Sequence, residues 1–179
     1  MSYNTSSKLS TMKYLKNGQH EIKFRYKNDE YENIILPAIK RSGLPVATYI
    51  KHAISEKITA DAIKEKELLS ILERVKAIVI KSIPAIFNGN VQRIILYGSY
   101  ARGDFTEDSD IDIAIMTDTS RRDCKKYDEQ VDELASEIGI ETLAIVNFAC
   151  LPYDEYENKK EWYPYYQNIA KDGIVLYER

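Results

Sequence analysis

Two aspartates, Asp110 and Asp112, alternate with Ile111, Ile113 and Ile115. In an extended chain this alternation sends both carboxylates to one side, about 7 Å apart at Cα, and the isoleucines to the other, into a core. Carboxylates paired in this way suit hard divalent cations such as Mg²⁺ or Mn²⁺, which favour oxygen ligands. Two such ions about 4 Å apart can stabilise both the attacking and the leaving oxygen of an in-line phosphoryl displacement. Upstream lies Leu96-Tyr97-Gly98-Ser99-Tyr100-Ala101-Arg102-Gly103. Gly98 follows an apolar run directly and, lacking Cβ, lets a phosphate approach the backbone. Ser99 adds a hydroxyl, and a helical turn from Tyr100 onward would offer free N–H groups to an anion. Arg102 could set a bidentate cation near the same phosphates. A phosphate cradle at a strand end, followed by a paired-acid metal site on the next strand, fits nucleotidyl transfer. The alternative is a pair of surface acids and a plain turn, and it leaves the agreement between the two segments unexplained.

The elements that must position these residues are legible on either side. An amphipathic helix is predicted from about Ile63, with Leu68, Leu72, Val75, Val79, Ile83 and Ile86 at intervals of three and four, closed by Asn88-Gly89-Asn90. Val91 to Tyr97 is a dense β-branched strand, and Asp110 to Met116 a second. Ser120 caps a helix carrying Tyr127, Val131, Leu134 and Ile138, closed by Gly139. Ile140 to Phe148 reads as a third strand, Tyr153 to Ala170 as a broken, Tyr-rich helical region, and Ile174 to Tyr177 as a last strand. The fold class is therefore α/β (α+β), a mixed sheet with flanking helices.

Gly98-Ser99, ten residues, then Asp110-Ile111-Asp112 resembles the signature of the nucleotidyltransferase superfamily related to DNA polymerase β. Ala101-Arg102-Gly103 and Ser109-Asp110-Ile111-Asp112 look like its small prokaryotic branch, the minimal nucleotidyltransferases. The resemblance extends over roughly residues 65–179, to Tyr165-Tyr166-Gln167-Asn168-Ile169 and Gly173-Ile174-Val175-Leu176-Tyr177. It implies a metal-dependent transfer of a nucleoside monophosphate from an NTP, ATP first among them, to an acceptor hydroxyl. Asp110 and Asp112 would be the catalytic and metal-binding residues, and Gly98, Ser99 and Arg102 would hold the nucleotide. The resemblance further implies an antitoxin-like component that modifies a partner toxin, typically a helical HEPN nuclease, on a Tyr, Ser or Thr hydroxyl. One departure stands out. The family usually carries a third carboxylate on the strand after the intervening helix. The matching strand here, Ile140 to Asn147, offers only Glu141, which shares parity with Leu143, Ile145 and Asn147. A solvated place at the strand start suits Glu141 better. Without a third acid, a base for the attacking hydroxyl comes from elsewhere or the enzyme is slow or idle.

The N-terminal third differs in charge. Residues 1–59 hold ten Lys/Arg against five Asp/Glu, net +5, whereas residues 60–179 hold fifteen against twenty-three, net −8. Residues 1–18 lack an apolar period and are expected to form a flexible tail. Glu21-Ile22-Lys23-Phe24-Arg25-Tyr26 alternates as a half-buried strand. Two helices are predicted next, one from Asn28 with Pro37 kinking it and Ser42-Gly43 stopping it, the other after Pro45 with Tyr49, Ile50, Ala53, Ile54 and Ile58 on its apolar side. Residues 19–59 resemble a ribbon-helix-helix module. That resemblance implies a homodimer whose paired strands enter the major groove of duplex DNA, with Lys23 and Arg25 on the reading face. Residues 60–179 would form the transferase domain. The alternative function keeps the DNA-binding head as an autorepressor whose second domain binds nucleotide or partner without turnover.

Composition narrows the field. At 179 residues and 44% hydrophobic, the chain can bury a core, and its Gly and Pro content is too low for a low-complexity polymer. No apolar run approaches the roughly 20 residues of a membrane span, and the N-terminus lacks a signal-peptide pattern, so a soluble, cytoplasmic protein is expected. Cys124 and Cys150 are too few for a disulfide framework, and with only His20 and His52, histidine-based chemistry is nearly excluded. Trp162, Tyr163, Tyr165 and Tyr166 could stack a base, but their helical spacing favours core packing.

Overall fold

The computed structural model describes residues 25–179, so the predicted strand lies outside the described residues as far as Phe24. The chain divides into two units, one ending at Lys57 and one spanning Ile58–Arg179.

In the first unit, Arg25, Tyr26 and Lys27 are exposed and carry no strand. Helix α1 (Asn28–Glu30) leads through a π-helical turn (Tyr31–Ile35) into α2 (Leu36–Ser42). The sequence predicts a kink at Pro37. The structure places the wider turn immediately ahead of it, with the Leu36 N–H reaching back to the Tyr31 carbonyl. Gly43, at φ +68°, ends α2 in the left-handed conformation that glycine adopts without strain.

The two helices expected on either side of residue 60 are instead one, α3 (Val46–Ile86). The cause is local: residues 55–67 contain neither Gly nor Pro and are dominated by Lys, Glu, Ala and Ile, so nothing interrupts the hydrogen-bond ladder. The second helix does not stop near Ile58 and Arg25–Lys27 carry no strand, so the described residues do not show the ribbon-helix-helix module.

The second unit is built on a four-stranded mixed sheet of order β3-β2-β1-β4. Its strands are β1 (Val91–Tyr97), β2 (Ile111–Thr117), β3 (Val146–Pro152) and β4 (Ile174–Glu178). β1 runs antiparallel to β2 and β4, while β2 and β3 are parallel. The parallel pair requires a crossover. It is supplied by α5 (Arg121–Cys124), a 3₁₀ turn (Lys125–Tyr127) and α6 (Asp128–Thr142), begun by Ser120, which accepts the Asp123 N–H. Strand alternation then divides the core into two layers. Ile94, Leu96, Ile111, Ile113 and Ile115 pack with Leu72, Val75, Val79 and Ile83 of α3 and with Val131, Leu134 and Ile138 of α6. On the other face Ile95, Ala114 and Met116 lie with Leu151, with Tyr156 of α7 (Tyr153–Lys159), and with Tyr166 and Ile169 of α8 (Pro164–Asp172). Arg121 clamps this second layer, bonding Glu155 at 3.0 Å and the Tyr166 hydroxyl at 2.9 Å. The Arg121 hydrogen bond, with a second from Lys159, pulls the Glu155 carboxyl down to about 2. Among the described residues, no helix is long and apolar enough to cross a membrane.

Candidate active site

β1 ends at Tyr97, and α4 (Gly98–Arg102) starts at once. The antiparallel register sets Tyr97 opposite Asp112, so the strand end and the acid pair arrive at one place. Gly98 sits at φ +75°, and a Cβ there would collide with Asp112 Oδ2. The glycine is required twice, for the backbone turn and for the space its missing side chain cedes to the carboxylate. The sequence suggests only the second kind of reason, and for a phosphate rather than for Asp112.

Asp110 and Asp112 are half-buried, on the strand parity that continues through buried Ala114 and Met116, while Ile111 and Ile113 are fully buried on the opposite face. What joins the two carboxylates comes from β3. The parallel register places Asn147 beside Asp112, and Asn147 Nδ2 donates to Asp110 Oδ2 at 3.1 Å and to Asp112 Oδ1 at 3.3 Å. A single amide thus bridges two like charges. Strand parity groups Asn147 with the site-facing positions, but an amide among acids gives no signal of this role.

The third strand begins later than predicted. Helix α6 passes through Gly139 and ends at Thr142, Leu143 takes the left-handed conformation at φ +61°, and β3 starts at Val146. Glu141 is consequently on the last helical turn, ion-paired with Arg74 at 3.0 Å, and is no part of the acid pair. The position facing Asp112 belongs to Asn147. Among the described residues, no group of three His, Cys, Asp or Glu side chains is placed to hold a metal. Two carboxylates nevertheless fit Mg²⁺, which commonly takes one or two protein carboxylates and completes its shell with water and substrate phosphate.

The remaining predicted residues fall as follows. Ser99 is half-buried at the start of α4, and its carbonyl accepts the N–H groups of Gly103 and Asp104 at 2.9 and 3.2 Å. Arg102 Nε donates to Asp104 at 3.2 Å, so its guanidinium is joined to Asp104 and not to the Asp110–Asp112 pair. Tyr97 shares a hydrogen bond with the Tyr165 hydroxyl at 3.2 Å. Burial, then that bond, then the charge of Asp112 push the Tyr97 phenol far above its ordinary range, so it stays protonated and supplies no base. Core packing holds for Tyr166, which is buried, but Trp162, Tyr163 and Tyr165 are exposed.

A family model described as polymerase beta, nucleotidyltransferase matches residues 81–179. The chain belongs to that nucleotidyltransferase family. It is 35% identical over 98 residues to a candidate protein adenylyltransferase of Methanocaldococcus jannaschii, covering 55% of this chain and 90% of the relative. It is 42% identical over 50 residues to a second such protein of that organism, covering 28% of this chain and 46% of that relative. A crystal structure of a candidate nucleotidyltransferase from Sulfolobus solfataricus aligns at 21% identity and TM-score 0.34, over 68% of this chain and 86% of that one. A toxin–antitoxin crystal structure with AMP-PNP aligns at 18% identity and TM-score 0.37, over 65% and 74%. Structural likeness this faint bears on nothing further.

The bridging amide makes a prediction. An Asn147→Asp nucleotidyltransferase should have a lower Tm than the wild type in metal-free buffer, because three carboxylates would crowd together and two would lose a shared donor. Added Mg²⁺ should restore much of the difference by neutralising the cluster. Thermal unfolding with and without Mg²⁺ checks this, and a Tm deficit indifferent to the ion would contradict it.

Proposed function

We propose that this nucleotidyltransferase moves AMP from ATP to a hydroxyl side chain of a partner protein. The observation that carries the reading is the convergence of Asp110, Asp112 and Asn147 beneath Gly98. The identity to a relative named for protein adenylylation supports ATP as donor and protein as acceptor. Charge supports the acceptor class too: residues 60–179 carry net −8, which repels nucleic acid and attracts a basic protein.

In this reading Asp110 and Asp112 hold Mg²⁺, which supplies charge neutralisation for the triphosphate and the developing pyrophosphate. Gly98 and Ser99 border the phosphates. The acceptor oxygen attacks the α-phosphorus, the bond from that phosphorus to the bridging oxygen breaks, pyrophosphate leaves with the electron pair, and the hydroxyl proton passes to water. Among the described residues no third carboxylate faces the pair, so Asn147 orders the acids but takes no proton. That feature favours slow turnover, and it is also what a nucleotide-holding repressor without turnover would carry. The proposed partner is an antitoxin's cognate toxin, on the strength of the Gly-Ser, ten residues, Asp-x-Asp resemblance. Arg102 as a phosphate ligand is proposed only for a bound state that releases it from Asp104.

The test is co-expression with the protein encoded by the neighbouring gene, followed by intact-mass measurement. An added AMP, lost in the Asp110→Asn variant, is the expected result. Efficient labelling of tRNA or a small molecule with the partner unmodified would overturn it. A separate proposal concerns the basic segment 1–59, net +5, as a homodimerising duplex-DNA contact through Lys23 and Arg25. Full-length protein should then bind duplex with a steep salt dependence that weakens in a Lys23→Ala, Arg25→Ala variant.

A further inference from the structure

The junction of α6 and β3 is apolar where water reaches it. Ile140 is 84% exposed, Leu143 91% and Ile145 65%. Leu143 is also held at φ +61°, a conformation that strains a side chain bearing a Cβ and that usually falls to Gly or Asn at a helix end. Asn88, the other described non-glycine residue with positive φ, is of a type that tolerates it. The Leu143 N–H closes the helix end on the Gly139 carbonyl at 2.9 Å, but its side chain is almost wholly in solvent and gains no packing from the turn. Strain without burial points to a surface kept for contact.

That surface adjoins the acid pair. A groove of about 250 Å³ has Leu68, Ile71, Leu143 and Ile145 in its lining together with Tyr100 and the acids Glu107, Asp108 and Asp110. Its backbone is anchored to the site, since the Ile111 N–H donates to the Ile145 carbonyl at 2.9 Å. One end is therefore apolar, the other is a carboxylate of the proposed metal site, and Asp108 adds an acid to the lining, whereas Glu107 is already ion-paired with Lys64.

We infer that this groove docks the acceptor: a polypeptide segment of the partner protein with apolar residues beside its hydroxyl side chain and Lys or Arg flanking it. The inference rests on the proposed AMP transfer and names where its acceptor lies. Apolar neighbours of the hydroxyl cover Leu143 and Ile145, a flanking cation meets Asp108, and the hydroxyl comes to the Asp110 end. RNA would bring phosphate charge against Asp108 and Asp110.

Binding can be read without turnover. Full-length protein with Mg²⁺ and a non-hydrolysable ATP analogue is titrated into a fluorescein-labelled synthetic peptide with one Tyr between Leu residues and flanking Lys, and anisotropy is followed. The same peptide with Glu in place of Lys should bind at least about tenfold more weakly, and so should the first peptide to a Leu143→Ser, Ile145→Ser variant, as expected when apolar anchors are removed. Leu143→Gly separates contact from architecture: it should weaken the peptide similarly while Tm holds or rises. Equal affinity for both peptides, unchanged binding by the variants, a lower Tm for Leu143→Gly, or displacement of the peptide by a short single-stranded RNA would each overturn the inference. Calorimetric titration of the ATP analogue into the same samples distinguishes the failures. Nucleotide bound with no peptide bound sinks the docking site alone, whereas no nucleotide bound sinks the proposed transfer as well.

Discussion

Replacing Asp110 and Asp112 together by asparagine should lower kcat/KM for AMP transfer by about a thousandfold or more, with Tm shifted by no more than a few degrees. Removing one electrostatic group aimed at developing charge typically costs about 10²–10³ in rate, and here both carboxylates lose their charge together. A thousandfold loss corresponds to about 4 kcal/mol of transition-state stabilisation. The fold has little to lose, because neither side chain belongs to the core layers, and two neighbouring negative charges disappear. Single-turnover assays with α-labelled ATP measure the first effect and thermal unfolding the second. Transfer persisting near the wild-type rate would remove these residues from the chemistry.

The Gly98→Ala exchange should be damaging in a different way. A residue with Cβ at φ +75° is strained, and this Cβ would occupy the place of Asp112 Oδ2. The carboxylate must move, and with it one of the two acceptors of the Asn147 amide. We expect kcat/KM to fall by about a hundredfold, in line with the sensitivity of positioned groups to shifts of about 1 Å. The strain and displacement together should lower Tm by about 5–10 °C, given about 2–4 °C per kcal/mol at this size. Gly89→Ala is the control. Gly89 lies at φ +77° with open space where a methyl group would stand, so the exchange should lower Tm and leave the rate alone. If both variants lost activity equally, backbone strain rather than collision with Asp112 would be the cause.

The acid pair and strands β1 and β2 are legible because their signals are local. Alternation of Asp with Ile fixes two faces within six residues, and Val91–Tyr97 is a β-branched run between Asn88-Gly89-Asn90 and Gly98-Ser99. The length and continuity of α3 escape the sequence because exposed residues 55–67 lack an apolar period, although their helix propensity is high. The late start of β3 escapes it for a conformational reason. Gly139 invites a helix stop, yet the chain turns at Leu143, a residue type that announces no left-handed conformation. Asn147 acquires its role from the parallel register of β2 and β3, a pairing across more than thirty residues that no local pattern encodes. Similarly, the partners Arg74 for Glu141 and Asp104 for Arg102 depend on where helices end.

Leu143 has a consequence for laboratory evolution. A campaign that screened this enzyme for heat resistance alone would meet Leu143→Gly or Leu143→Asn early, since either relieves a left-handed strain of about 1–2 kcal/mol and sacrifices no buried contact. Each selected clone would survive higher temperatures and keep its nucleotide chemistry, yet recognise its acceptor poorly. Selection for heat resistance and selection for modification of the partner would therefore pull this one position in opposite directions.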